Sequence, residues 1–254
     1  MKTVLLSGGC GLLGSEFAKT LKDNYEVIVS DLPNKIEESY KDSKNFKGYV
    51  PAFKGFKLDT TDENEVKEFF KYIGKIDILI NVAAINPVPD VSSNEFENYS
   101  LEKWKKTLDV NLTGAFLLSR ECIKYMLKNK NKRGFKGTVI NISSDLGVIT
   151  SDQSVYSDGY IKPPDYGVSK AGLIHLTKYI AGYYRNKIKA VCLSPGSVYN
   201  GQSDSLKQNL EKRIPIGRLA KKEEYNGAIK FLCSSDSDYM QGNNIIMDGG
   251  RNIW

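Results

Sequence analysis

Tyr166 and Lys170 lie four residues apart in the segment DYGVSKAGLIHLTKYIAGYY. On a helix, residues at i and i+4 share a face, so this spacing sets a phenol beside an ammonium. A neighbouring cation favours the phenolate and lowers the tyrosine pKa from its usual value near ~10. A phenol tuned in that way exchanges a proton with an alcohol or carbonyl oxygen near neutral pH. A surface tyrosine beside a surface lysine has the same spacing, so the rest of the chain must decide.

A second segment with chemical content is SGGCGLLG, Ser7 to Gly14, placed after a short apolar run and before a helical pattern. Glycines there let the backbone approach a pyrophosphate, and a helix N-terminus adds free N–H groups and a positive dipole end. Asp31 closes the next apolar run, 17 residues beyond Gly14. An acid at that place accepts hydrogen bonds from adenosine ribose hydroxyls and repels a 2′-phosphate. The glycine loop holds no Arg or Lys, and Lys35 is the cation nearby. These residues favour NAD over NADP. A tight strand–helix turn and an ordinary turn aspartate are the ligand-free alternatives.

Strand-like and helix-like runs alternate along the chain to position these residues. The strand-like runs are KTVLLS, YEVIVSD, FKLDTTD, KIDILINVAA, GTVINISS, KIKAVCLSPG and NNIIMDGG. Between them lie LLGSEFAKTLKD, ENEVKEFFKYIG with Thr61 or Asp62 as cap, one long helix or two over 101–129, DYGVSKAGLIHLTKYIAGYY and KEEYNGAIKFLCS. Repeated strand–helix units predict an α/β fold, a doubly wound parallel seven-stranded sheet with helices on both faces. No repeat or linker interrupts the pattern, so residues 1–254 read as a single NAD(P)-binding Rossmann domain. Irregular segments at 33–55, 86–100, 150–165 and 197–215 mostly follow strand C-termini, where open α/β sheets bind ligands.

Composition narrows the class. The chain has 254 residues, 41% of them hydrophobic and 26% charged, which suits a globular protein. Its longest apolar run falls short of the ~18 to 20 residues that span a bilayer, and the opening MKTVLLSGGCGLLG reads as a first strand rather than a signal peptide. A cytoplasmic protein with no membrane partner is expected. The net charge of +6 comes from scattered lysines, which argues for a solvated basic surface and against nucleic-acid binding. Cys10, Cys122, Cys192 and Cys233 form no CxxC pair; the last three lie in apolar stretches and read as buried thiols, and Cys10, in the glycine loop, reads as structural. The single histidine, His175, falls on an apolar helical stretch and reads as a packed or interface residue, so no metal site is expected.

The ordered motifs resemble those of the short-chain dehydrogenases/reductases over essentially the whole chain. They run SGGCGLLG, LDTTD with Asp59, NVAA from Asn81 to Ala84, DVNLTGAF with Asn111, INISSDLG with Ser144, YGVSK with Tyr166 and Lys170, LSPG with Pro195 and Gly196, and MDGG. The resemblance implies a catalytic set of Asn111, Ser144, Tyr166 and Lys170. Tyr166 would be the general acid/base. Lys170 would lower its pKa and hold the nicotinamide ribose. Ser144, chosen over Ser143 by its spacing to Gly147, would hydrogen-bond the substrate oxygen. Asn111 would hold a relay water. The cofactor contacts it implies are Gly8, Cys10, Gly11, Leu12, Leu13, Gly14, Asp31, Asp59, Thr60, Asn81, Ala83, Tyr166, Lys170, Pro195, Gly196 and Val198. The activity implied is interconversion of a secondary alcohol and a ketone.

Departures from the family pattern carry information. The middle glycine of the loop, Gly11, sits where the extended, sugar-nucleotide branch has it, but too little chain follows Lys170 for that branch's extra domain. NVAA stands for the more usual NNAG, and Val191 for a common Asn. Ser144 and Tyr166 are 22 residues apart, which is longer than usual. The extra stretch ITSDQSVYSDGYIKPPD predicts an ordered flap beside the substrate, with an oligomer contact loop as the alternative. With KPPDYGVSK it is similar to oxidoreductases of bacterial flagellin modification and nonulosonate sugar biosynthesis, which implies a sugar, sugar phosphate or nucleotide sugar as the small-molecule substrate. The 197–215 segment reads as a lid, with Gln202, Lys207 and Arg213 facing either a ligand or solvent. The resemblance implies a homotetramer, with Leu173, Ile174, Leu176, Ile180 and Trp254 as apolar contact surface. Other readings are an epimerase or dehydratase that recycles NAD, and a catalytically silent scaffold.

Overall fold

A computed structural model describes residues 1–41, 53–87, 95–129, 134–156 and 160–253. Seven strands form one parallel sheet: β1 (Lys2–Ser7), β2 (Tyr25–Asp31), β3 (Lys54–Lys57), β4 (Ile78–Asn81), β5 (Gly137–Ile142), β6 (Ile188–Pro195) and β7 (Asn244–Met247). Their spatial order is β3-β2-β1-β4-β5-β6-β7. The helices between them are α1 (Leu12–Leu21), α2 (Pro33–Lys41), α3 (Glu63–Tyr72), α4 (Leu101–Leu108), α5 (Gly114–Met126), α6 (Pro164–Tyr184), α7 (Asp204–Glu211) and α8 (Asn226–Cys233).

Two cores follow from the strand pleat, because successive side chains leave opposite faces. Val4 and Leu6 of β1 pack with Phe17 and Leu21 of α1 and Ile229 and Leu232 of α8. Leu5, between them, joins Phe70 of α3, Leu118 and Met126 of α5 and Ile180 of α6 on the other face. This is the doubly wound sheet that the alternating runs predict. Chain order reverses between β1 and β4, and the crevice above their C-terminal ends is the expected ligand position.

Three local outcomes bear on the site. Asp62, not Thr61, caps α3, its carboxylate accepting from the N–H groups of Asn64 and Glu65 at 2.7 and 3.0 Å. The 101–129 stretch is two helices joined by a π-helical turn, Asp109–Thr113, and π turns re-aim side chains where function needs them. The expected irregular segment 33–55 begins instead with a helix. Pro33 opens α2 because its missing N–H and fixed φ suit a first turn, and Ile36 packs it into the core.

Candidate active site

The loop from β1 to α1 is built around close backbone packing. Gly8 has φ +70, and a Cβ on it would lie 2.5 Å from the Ala83 backbone. A Cβ on Gly14 would lie 2.2 Å from the Gly8 carbonyl oxygen. Gly11 caps α1 without any side-chain bond, so the first N–H groups of that helix open into the crevice. At the end of β2, Asp31 accepts from Cys10 N–H and Leu32 N–H, both at 2.9 Å. Burial pushes its carboxyl above the usual carboxylate range, and those two N–H bonds oppose the shift. Burial and the nearby Asp31 carboxylate push the Cys10 thiol up to about 12, so it is an inert structural thiol, as are the other three buried cysteines.

These groups edge a cavity of about 1470 Å³, larger than the usual small-molecule pocket. Its wall includes Gly8, Cys10, Gly11, Leu12, Leu13, Gly14, Asp31, Asp59, Thr60, Ala83, Pro195, Gly196 and Val198. A cradle that any Cβ would fill, open helix N–H groups and an acid at the end of β2 fit a dinucleotide. Asn81, expected among the cofactor contacts, is not on this wall. Its side chain is buried beneath the crevice and donates to Ser119 Oγ (3.0 Å) and Asn141 Oδ1 (2.8 Å), tying β4 to β5 and α5 rather than facing a ligand.

At the other end of the cavity stand Ser144, Tyr166 and Lys170. Ser143 Oγ donates to the Lys170 carbonyl at 2.8 Å, which leaves Ser144 as the hydroxyl that interacts with the Tyr166 phenol. Gly147 allows this approach, since a Cβ there would meet the α6 backbone at 2.7 Å. Lys170, 2% exposed, donates to the Ile142 carbonyl at 2.9 Å and lies 5.8 Å from the Tyr166 ring centroid.

The electrostatics differ from the sequence expectation. Burial pushes the Tyr166 phenol up to about 12, the Ser144 hydrogen bond offsetting only part of this. Burial also pulls Lys170 down to about 8. Burial dominates at Tyr166, so its phenol lies above the ordinary tyrosine range rather than below it. Asn111 departs too. It is fully buried in the π turn, and its Nδ2 donates to the Ile85 carbonyl (2.9 Å) and Ser169 Oγ (3.0 Å) while Oδ1 accepts from Ile85 N–H (2.8 Å). Its side chain is not on the cavity wall and braces the strand-β4 loop against α6.

Several wall residues were not singled out in the sequence. Asp145 accepts from Ser144 Oγ at 2.8 Å and pairs with buried Arg251 at 2.9 Å. Lys162, from the extra stretch before α6, is 6% exposed and lies 5.0 Å from the Tyr166 ring centroid. Tyr156 and Tyr160 stack at 4.6 Å between centroids beside it. Only the Pro-Pro pair hinted at Lys162: Pro163 and Pro164 set the start of α6, and Lys162 directly precedes them. Residues 157–159 of the flap and Trp254 lie outside the described residues. Of the lid residues, Gln202 lines the cavity while bonding the Val198 carbonyl, Lys207 lies over the Tyr199 ring, and Arg213 clips α7 to Asp152 and Ser154 of the flap.

The family model described as enoyl-(acyl carrier protein) reductase matches residues 13–252. An uncharacterized oxidoreductase of Bacillus subtilis, YxbG, is 30% identical over 98% of this chain and 90% of its own length. The 3-oxoacyl-(acyl-carrier-protein) reductase FabG of Thermotoga maritima is 28% identical over 98% of this chain and 97% of its own. A short-chain dehydrogenase from Leptospira borgpetersenii, solved with bound NAD+, superposes with a TM-score of 0.83 at 33% identity, covering 99% and 92% of the two chains. The chain belongs to the short-chain dehydrogenase/reductase family. It is an oxidoreductase with the Rossmann fold of that family.

Proposed function

We propose that this chain is an NAD-dependent oxidoreductase interconverting a secondary alcohol and a ketone on a sugar-derived substrate, with Tyr166 as the general acid/base. The observation that carries the reading is the convergence of the Tyr166 phenol, the Ser144 hydroxyl and the Lys170 ammonium at one end of a cavity whose other end is the glycine cradle. The Leptospira neighbour's bound NAD+ and Asp31 at the end of β2 support NAD over NADP. Glycine-loop N–H groups would hold the pyrophosphate and Asp31 the adenosine ribose. When bound, the cofactor accepts or supplies the hydride.

The residues do the rest. In the direction of reduction, Tyr166 gives its proton to the carbonyl oxygen while Ser144 hydrogen-bonds that oxygen and stabilises its developing charge. Lys170 stands ready to stabilise the phenolate left behind and to hold the nicotinamide ribose. In oxidation the same groups run in reverse. The flap and the 197–215 lid enclose the substrate within one catalytic domain, and the flap's likeness to sugar-modifying oxidoreductases supports a sugar-derived substrate. A homotetramer in the cytoplasm completes the reading.

The test is a panel of sugar alcohols, sugar phosphates and nucleotide sugars, followed through NADH absorbance for the wild type and Tyr166→Phe. Net NADH turnover that falls by about 10²- to 10⁴-fold in kcat in the variant, with NADH affinity retained, is expected. An unchanged kcat in Tyr166→Phe would remove Tyr166 from the chemistry.

A further inference from the structure

Lys162 is placed by three separate constraints. Gln153 holds its backbone from both sides, Oε1 accepting from Lys162 N–H at 2.8 Å and Nε2 donating to the Lys162 carbonyl at 3.2 Å. Pro163 and Pro164 follow and start α6. Asp165, fully buried, then accepts from Tyr166 N–H and from the Tyr99 hydroxyl, each at 2.7 Å, which locks the first turn. These bonds fix the backbone from which the lysine side chain reaches the cavity wall.

Its ammonium is poorly matched where it stands. Nζ donates to Asn86 Oδ1 and covers the Tyr166 ring. Among the described residues no carboxylate lies within ion-pair distance of it. Buried charges ordinarily find an opposite charge, because an amide oxygen and a ring face replace only part of the lost hydration. Burial accordingly pulls Lys162 down to about 8, with Asp165 opposing the shift. Of the other buried cations on this wall, Arg251 is paired with Asp145 and Lys170 donates to the Ile142 carbonyl. Among the described residues, then, this ammonium lines the cavity over the face of Tyr166 without a carboxylate in ion-pair contact.

We propose that Lys162 is a substrate-recognition cation, and that the substrate carries an anionic group, a carboxylate or a phosphate, close to the carbon that exchanges the hydride. The proposal deepens the redox reading of this cavity and rests on it. On this view the extra stretch before α6 delivers the lysine, and selectivity against neutral alcohols arises because a neutral group would not compensate the buried ammonium as an anion does.

The experiment has a binding arm and a turnover arm. NADH-loaded protein is titrated calorimetrically with acetate, with inorganic phosphate and with acetamide as the neutral isostere of acetate, for the wild type, Lys162→Met, Lys162→Arg and Asn86→Asp. Acetate or phosphate should bind the wild type better than acetamide does. That affinity should fall by about 10- to 100-fold in Lys162→Met, as loss of a charge-assisted bond predicts, and be largely kept in Lys162→Arg. Asn86→Asp, which leaves the lysine in place but gives it a carboxylate, should weaken it in the same direction. Should Lys162→Met not fold, Asn86→Asp alone decides. The turnover arm compares acetoacetate with its methyl ester and dihydroxyacetone phosphate with dihydroxyacetone, which separates carboxylate from phosphate. Anion affinity unaffected by Lys162→Met or Asn86→Asp, or acetamide binding as well as acetate, would overturn the proposal. A Lys162-dependent anion site with no NADH turnover of any ketone would instead count against the redox reading, so the two fail separately.

Discussion

A phenol pushed up to about 12 beside a lysine pulled down to about 8 describes a site set to donate a proton, not one already holding a phenolate. Both shifts have the same cause, burial, which penalises whichever form is charged. The sequence showed that Tyr166 and Lys170 share a helical face. It could not show that the ammonium would meet the ring at 5.8 Å and spend a hydrogen bond on the Ile142 carbonyl. Asn81 and Asn111 teach the same lesson: their positions follow from the motifs, but the direction of each amide is fixed by partners such as Ser119 and Ile85 that are distant in sequence. Arg251 gives a prediction at this scale. It neutralises Asp145, which in turn accepts from Ser144, and both charges are buried. Arg251→Met should destabilise the protein by about 3 to 5 kcal/mol, because it strands a buried carboxylate. Asp145→Asn with Arg251→Met should recover much of that in thermal unfolding. A double variant no more stable than Arg251→Met would show that the pair is not the reason.

The elements were largely legible because their periods differ. β1, β4, β5 and β6 are short apolar runs, and α3 alternates charged and apolar residues at helical spacing. What escaped were the helices α2, whose polar sequence packs through Ile36, and α7, inside the 197–215 segment, and the π form of the turn between the two helices of the 101–129 stretch. None has a local signature, since each depends on what the segment packs against. The β1–α1 loop is the element that most constrains function. Gly14→Ala would drive a methyl group into the Gly8 carbonyl, 2.2 Å away, and the fixed backbone of the cradle cannot yield cheaply. NADH affinity should fall by at least about tenfold, with a lower melting temperature, while the sheet signature in circular dichroism persists. Unchanged affinity would mean that the loop is not the pyrophosphate cradle.

For the whole molecule, the exposed face of α6 corrects the expected assembly surface. Leu173 and Ile180 point into the protomer's own core, at 1% and 5% exposure, and Leu176 packs against it. His175, expected to be packed or at an interface, is exposed in the protomer. The apolar groups that α6 leaves outside are Val168, Tyr179 and Tyr183. The helical run had the right composition, but its phase around the axis is set by how Gly172 and Ser169 approach the π turn. If α6 is the tetramer contact, Val168→Glu with Tyr179→Glu should lower the mass seen by light scattering to that of a smaller species. A tetramer retained in that variant would place the contact elsewhere.

The central claim is that the crevice over β1 and β4 is an NAD site read by Asp31. Fluorescence titration of the wild type and Asp31→Ala with NADH and NADPH tests it most directly. The wild type should prefer NADH, and the preference should collapse in Asp31→Ala as the repulsion of the 2′-phosphate is lost. Equal or tighter NADPH binding by the wild type, or a preference that survives in Asp31→Ala, would contradict it.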